Sequence, residues 1–88
     1  MATEVNVTDT PTEVMGVSVG TNYFLENQHT SATMYYATEP SDPANKDAAG
    51  FKIPPGGGRY AKANTGQKLY VWLRIPNETG VLVFDEAV

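Results

Sequence analysis

The side chains able to do chemistry are few in this 88-residue chain. Its one histidine, His29, lies in "ENQHTS". A nucleophilic centre needs Ser, Thr or Cys beside such a base, with an acid to orient it. A histidine in a turn between two strands is expected to face water instead. Asp42 and Asp47 flank "SDPANKD", which could offer carboxylates and carbonyls to calcium, but the spacing fits no calcium loop. There is no cysteine, so disulfides and thiolate ligands are excluded, and no Asp, Glu or His cluster has zinc spacing. "PPGGGR", residues 54–59, raises the question of a phosphate cradle. Such a loop needs a helix start and a closing Lys-Ser/Thr pair, and "PPGGGRYAKA" has neither. Pro54 and Pro55 preset φ and the three glycines permit the return, so the stretch reads as a turn with Arg59 at its rim. Paired carboxylates for glycoside hydrolysis need a cleft that a chain of this length does not build alone. The expectation is a protein with no enzymatic role, no metal and no cofactor.

The elements that would position these residues are short strands. Turn signals recur every eight to twelve residues among abundant Thr, Val and Tyr, and no segment keeps a helical apolar period over three turns. The pattern predicts an all-β fold, a small antiparallel sandwich or barrel of six to seven strands. Residues 1–12 read as an extended N-terminal arm or edge strand, and residues 13–88 as a single domain. A strand is expected around 13–19, a hairpin from "NYFLEN" through "QHTS" to "ATMYYAT", and a loop over "EPSDPANKDAAG". "KLYVWLRI" is the clearest strand, and "VLVFDEA" closes the fold.

Alternation along "KLYVWLRI" puts Leu69, Val71, Leu73 and Ile75 on one face and Lys68, Tyr70, Trp72 and Arg74 on the other. The first set is expected in the core with Val81 and Val83. The second set has three readings: it is covered by the arm or the 39–50 loop, it meets a partner subunit, or it binds carbohydrate or another ligand. Aromatics beside arginine are enriched at protein interfaces, and the partner reading is carried forward, with Tyr70, Trp72, Arg74, Val5, Val7 and Arg59 as its candidate residues. In "TMYYAT" one tyrosine points outward, and in "YFLE" Phe24 lies opposite Tyr23 and Leu25. So many two-faced strands carry more apolar surface than one core hides. A chain this short buries only roughly 60–65% of its unfolded surface, so a homo-oligomer is expected, a trimer among the forms open to it.

Net charge is −4, which argues against sequence-independent nucleic-acid binding. Its distribution is uneven: residues 1–45 hold six acids and no base, residues 46–88 six bases and four acids, so the halves carry −6 and +2. Either the halves offset one another within a subunit, or an acidic segment reaches a basic surface on a neighbour. No window is apolar enough for a membrane span, and the N-terminus lacks the pattern of a signal peptide.

The order of features over about residues 20–85 resembles small all-β virion proteins of tailed bacteriophages. An Asn-containing strand leads to "MYYATEP" and a polar loop, then to "GFKIPPGG", a strand, "TGQKLYVW" and a last apolar strand. That group includes capsid decoration (cement) proteins and neck or tail accessory proteins. The resemblance implies a structural virion protein, assembled in the bacterial cytoplasm, that binds the major capsid protein lattice or other virion proteins, with no nucleic-acid or membrane partner. Head decoration is the expected role. A neck or tail accessory subunit and a small carbohydrate-binding module are the alternatives.

Overall fold

A computed structural model of the chain describes residues 2–41, 43 and 50–87. Asp42, Lys46 and Asp47, weighed above, lie outside the described residues. Eight strands form among those described: β1 (Thr3–Val7), β2 (Thr12–Glu13), β3 (Tyr23–Asn27), β4 (Met34–Glu39), β5 (Phe51–Ile53), β6 (Gly58–Ala61), β7 (Lys68–Leu73) and β8 (Gly80–Glu86). They make two antiparallel four-stranded sheets. Sheet A has the order β1-β8-β3-β6 and sheet B the order β2-β7-β4-β5. The all-β expectation holds, with eight strands in place of six or seven.

Side chains from both sheets meet between them. Val7, Leu25, Leu82 and Phe84 come from sheet A, and Met34, Ile53, Val71 and Leu73 from sheet B. All eight are buried. Burying a Val, Leu, Ile, Met or Phe side chain is worth about 1.5–3 kcal/mol. This shared layer therefore supplies most of the force that holds two such short-stranded sheets together.

Most connections cross from one sheet to the other. The "NQHTS" segment joins β3 of sheet A to β4 of sheet B, so it is an arch and not the expected hairpin. Asn27 explains why. Its side chain is fully buried and its Nδ2 donates to Ala32 O (2.8 Å) and to Ile53 O (3.0 Å). Its Oδ1 accepts from the His29 backbone N–H (2.8 Å). One side chain thus ties the end of β3 to the arch and to the end of β5, satisfying carbonyls that would otherwise be buried without partners.

"PPGG" is a turn. Gly57 N–H donates to Pro54 O at 2.9 Å, and Gly56 has φ +70°. Proline at the second position and a positive-φ glycine at the third are the requirements of a type II turn. It carries the chain from β5 in sheet B to β6 in sheet A.

The N-terminal segment is an edge strand. β1 pairs with β8 from Thr3↔Phe84 to Val7↔Gly80, and after a short link β2 pairs with β7. The strand expected around 13–19 ends at Glu13, and turns at Met15–Gly16 and Val19–Gly20 follow. Val14 is buried, and its N–H donates to Leu69 O at 2.8 Å.

Two core expectations are corrected. Ile75 is 48% exposed, because β7 stops at Leu73 and Pro76 opens a turn in which Glu78 N–H donates to Ile75 O. On β8 the buried residues are Leu82 and Phe84, and Val81 and Val83 face outward, half-buried. Alternation allowed either set to face in. The larger pair faces in because it removes more apolar area from water. Leu69, Val71 and Leu73 are buried as expected.

Candidate functional site

Each sheet has an outward face, and strand pairing assigns the residues to it. On sheet B, Tyr35 lies opposite Trp72 and Lys52, Ala37 opposite Tyr70, Glu39 opposite Lys68, and Glu13 opposite Tyr70. On sheet A, Glu4 and Glu26 lie opposite Val83, Asn6 opposite Val81, and Phe24 opposite Asp85 and Tyr60.

The sheet B face is closed. Trp72 is 0% exposed, and Tyr70 and Ala37 are buried with it in a small cluster of their own. Tyr35 stacks alongside the Trp72 ring at 6.4 Å between centroids, and the Arg74 guanidinium lies 3.7 Å above the Tyr35 ring centre, a favourable cation–π geometry. Gly50 backs directly onto the indole. A Cβ there would stand 2.7 Å from Trp72 Cζ2, and the residue has φ +101°. Glycine is required twice over, by conformation and by space. Tyr70 and Trp72, expected on a partner-facing surface, are therefore buried within the subunit. A carbohydrate platform built on them is overturned by the same burial.

The remaining interface candidates separate. Val7 is fully buried in the main core, and Val5 is half-buried against it, because β1 is a paired strand whose inward residues meet Leu82 and Gly80. Arg74 belongs to the closed face. Arg59 is exposed on β6, with Nη1 donating to Gly58 O at 2.8 Å.

The sheet A face is open. Tyr60 is 69% exposed and Phe24 36% exposed, and their rings meet edge-on at 5.1 Å between centroids. The Phe24 ring lies over Gly58, where any Cβ would collide with it. Val81 and Val83 extend the apolar strip towards β1, and Glu4, Glu26 and Asp85 stand around it. Phe24 and Tyr60 are not among the site residues expected from the sequence. The available signal was Phe24 standing alone on its face between Tyr23 and Leu25.

Round the β5–β6 side the aromatic row continues. Tyr36, inward on β4, packs on Phe51 at 5.5 Å, and Phe51 is 67% exposed. Tyr36 Oη donates to Tyr60 O at 3.3 Å. Burial pushes the Tyr36 hydroxyl above its ordinary value, against the opposing charge of Arg59. The outward carbonyls of edge strand β6 at Gly58 and Tyr60 are thus both taken by side chains, which blunts that edge against pairing with another strand.

His29 is engaged rather than solvated. Its Nδ1 accepts from Ser31 N–H (3.1 Å) and Ala32 N–H (2.9 Å), and its Nε2 lies 3.3 Å from Glu78 Oε1. Nδ1 as a double acceptor sets the neutral tautomer with the proton on Nε2. Both nitrogens are occupied by the fold. A shallow depression of about 300 Å³ beside it is lined by Glu26, Gln28 and Pro55 among others. Among the described residues no group of three or more His, Asp and Glu is placed to hold a metal ion, and no helix is long and apolar enough to cross a membrane.

No protein-family model, no curated protein and no solved structure matches this chain.

Proposed function

We propose that this chain is a non-enzymatic structural protein of a virion, a capsid decoration protein that docks on the coat-protein lattice through the outward face of sheet A. The resemblance of residues 20–85 to small phage virion proteins supports the virion half of this reading. The docking half rests on one observation: Phe24 and Tyr60 form an exposed ring pair on an uncovered sheet, whereas the indole of the same chain is sealed inside. Large rings held rigidly on a strand lose little conformational freedom on binding and are the side chains that dominate interface energetics.

Stabilisation of a shell follows from repetition. Each copy would bury the Phe24–Tyr60–Val83 strip across a junction of coat subunits, at about 25 cal/mol per Å² of apolar area. A single contact of this size is weak, but many such contacts on one lattice must all be lost together before the junctions open. Glu4 and Glu26 beside the strip favour coat surfaces that present lysine or arginine.

The test is the copy number of this protein relative to the major coat protein in purified particles, by quantitative mass spectrometry. A ratio near one, or a fixed large fraction of it, is expected. A few to a dozen copies per particle would move the protein to the neck or tail. Its absence from particles would overturn the virion reading. Binding of Phe24→Ser/Tyr60→Ser protein to stripped particles tests the surface separately, with a loss of about tenfold or more expected for two truncated interface rings.

A further inference from the structure

The uneven charge along the chain becomes a polarity of the folded molecule. Consecutive strands β1 and β2 are the first strands of the two sheet orders, and β5 and β6 are the last. The short β1–β2 and β5–β6 connections hold each pair on one side of the molecule. Residues 2–13, which form the β1–β2 side, carry Glu4, Asp9 and Glu13 and no base. Residues 50–63, which form the β5–β6 side, carry Lys52, Arg59 and Lys62 and no acid. None of these three cations pairs with a carboxylate among the described residues, and all three are exposed, as is the Phe51 ring on β5. On the other side Glu4 is exposed, Glu13 reaches only Lys68 at 3.7 Å, and Asp9 Oδ2 accepts the Asn77 N–H at 3.4 Å.

We infer that copies of this chain associate head to tail, with the cationic β5–β6 side of one against the acidic β1–β2 side of the next. Strand order places the two patches at opposite edges of sheet A. Thr3, Phe84, Leu25 and Arg59 form one row across sheet A, and Glu4, Val83, Glu26 and Gly58 form the next. Glu4 and Arg59 therefore stand at opposite edges of the sheet, three strand spacings or about 14 Å apart, in neighbouring rows that point to opposite faces. A copy displaced by one sheet width brings the edge that carries Arg59 beside the neighbour's edge that carries Glu4, so the opposite charges meet as edge patches. The contact runs through side chains and not through an extended sheet, because Arg59 and Tyr36 already cap the outward carbonyls of β6. It is heterologous, so two different patches meet and the two terminal copies each keep one patch free until the assembly closes.

Charge exchange in trans tests this on the purified protein, with no particle present, so failure here leaves the lattice-docking proposal standing. Two variants are compared with the parent chain by sedimentation: Arg59→Glu/Lys62→Glu and Glu4→Lys/Glu13→Lys. The parent chain is expected to self-associate at about 25 mM salt and to fall to monomer at about 500 mM, where screening reaches only a few ångströms. Each variant alone should associate about tenfold or more weakly, since both of its edges then carry one sign. An equimolar mixture should recover association in a 1:1 ratio, through one native and one exchanged contact. A parent chain that stays monomeric at low salt overturns the inference. So does either variant assembling as well as the parent chain, or a mixture that fails to recover while circular dichroism shows both variants folded.

Discussion

The two sheets turn a comparable set of rings outward, and the chain treats them in opposite ways. On sheet B, Tyr70 and Trp72 are buried, with Gly50 against the indole and Arg74 over the neighbouring Tyr35 ring, and the indole has no exposure left. On sheet A, Tyr60 is 69% exposed and Phe24 36% exposed, their rings meeting edge-on with Phe24 over Gly58. The same alternation of residues therefore serves two ends. One outward face is converted into a second, smaller core, which supports a domain too short to rely on the inter-sheet layer alone. The other is left as surface. Exposed rings contribute little to the folded state, and this is the ground on which the sheet A face is proposed as a docking surface.

The sharpest way to break this contrast is to remove a ring from each face. Trp72→Ala should destabilise the domain by about 3–5 kcal/mol, the usual range for a buried Trp or Phe truncated to alanine. In a domain of this size that is a large share of total stability. Chemical denaturation followed by circular dichroism reads it directly. A loss under about 1 kcal/mol would mean that the indole contributes little within the subunit, and the two faces would no longer differ.

Next in size is Gly50→Ala, which tests what closes the sheet B face. The added methyl meets the indole at 2.7 Å on a backbone with φ +101°. Both the overpacking and the positive φ act against it, and a cost of about 1–3 kcal/mol is expected. Tryptophan fluorescence should shift to the red in the same variant as water reaches the ring. An unchanged spectrum with unchanged stability would show that Gly50 is not the lid over Trp72.

How much of this contrast was legible in the sequence follows from which forces are local. The two faces of β7 were readable because alternation runs unbroken from Lys68 to Leu73, and it failed at Ile75 where Pro76 ends the strand. The inward set of β8 was a choice between two equally periodic patterns, and side-chain volume, not period, decides it. Which outward face is covered could not be read at all. Gly50 reaches Trp72 from 22 positions away in the chain, and nothing near "KLYVWLRI" announces it. The arch at 27–32 reads as a hairpin in sequence because turn residues look alike whether the next strand pairs or crosses. The difference lies in Asn27, whose bond to Ile53 O is a long-range contact. The cationic and acidic blocks were visible in the sequence, but their placement on opposite sides needed the strand order.

On sheet A the expected effect on stability is smaller, and its size separates the faces. Tyr60→Ser should change stability by no more than about 0.5–1 kcal/mol, since the ring gives up one edge-on contact and little buried area. A loss comparable with that of Trp72→Ala would make Tyr60 part of the folding core and remove the ground for calling its face a docking surface.

The smallest effect belongs to neither face and so serves as their control. At the end of the molecule where the 27–32 arch meets the β7–β8 connection, the Glu78 carboxyl is held below its ordinary value. The hydrogen bond from His29 is the main cause, and the Thr79 backbone N–H adds to it. A carboxyl with a lowered folded-state pKa stabilises the native form at pH above its unfolded value of about 4.5. That contribution is lost as pH falls from there through the folded value. Glu78→Gln should therefore flatten this part of the acid limb of the stability curve. A side-chain NMR titration should place the Glu78 midpoint below 4.5 in the parent chain and return it towards that value in His29→Ala. Because Glu78 lies on the β7–β8 turn and outside both strips of rings, Glu78→Gln should leave Trp72 fluorescence and particle binding unchanged at neutral pH. A change in either would mean that this end of the molecule is coupled to a face, and that the two faces are not separately built.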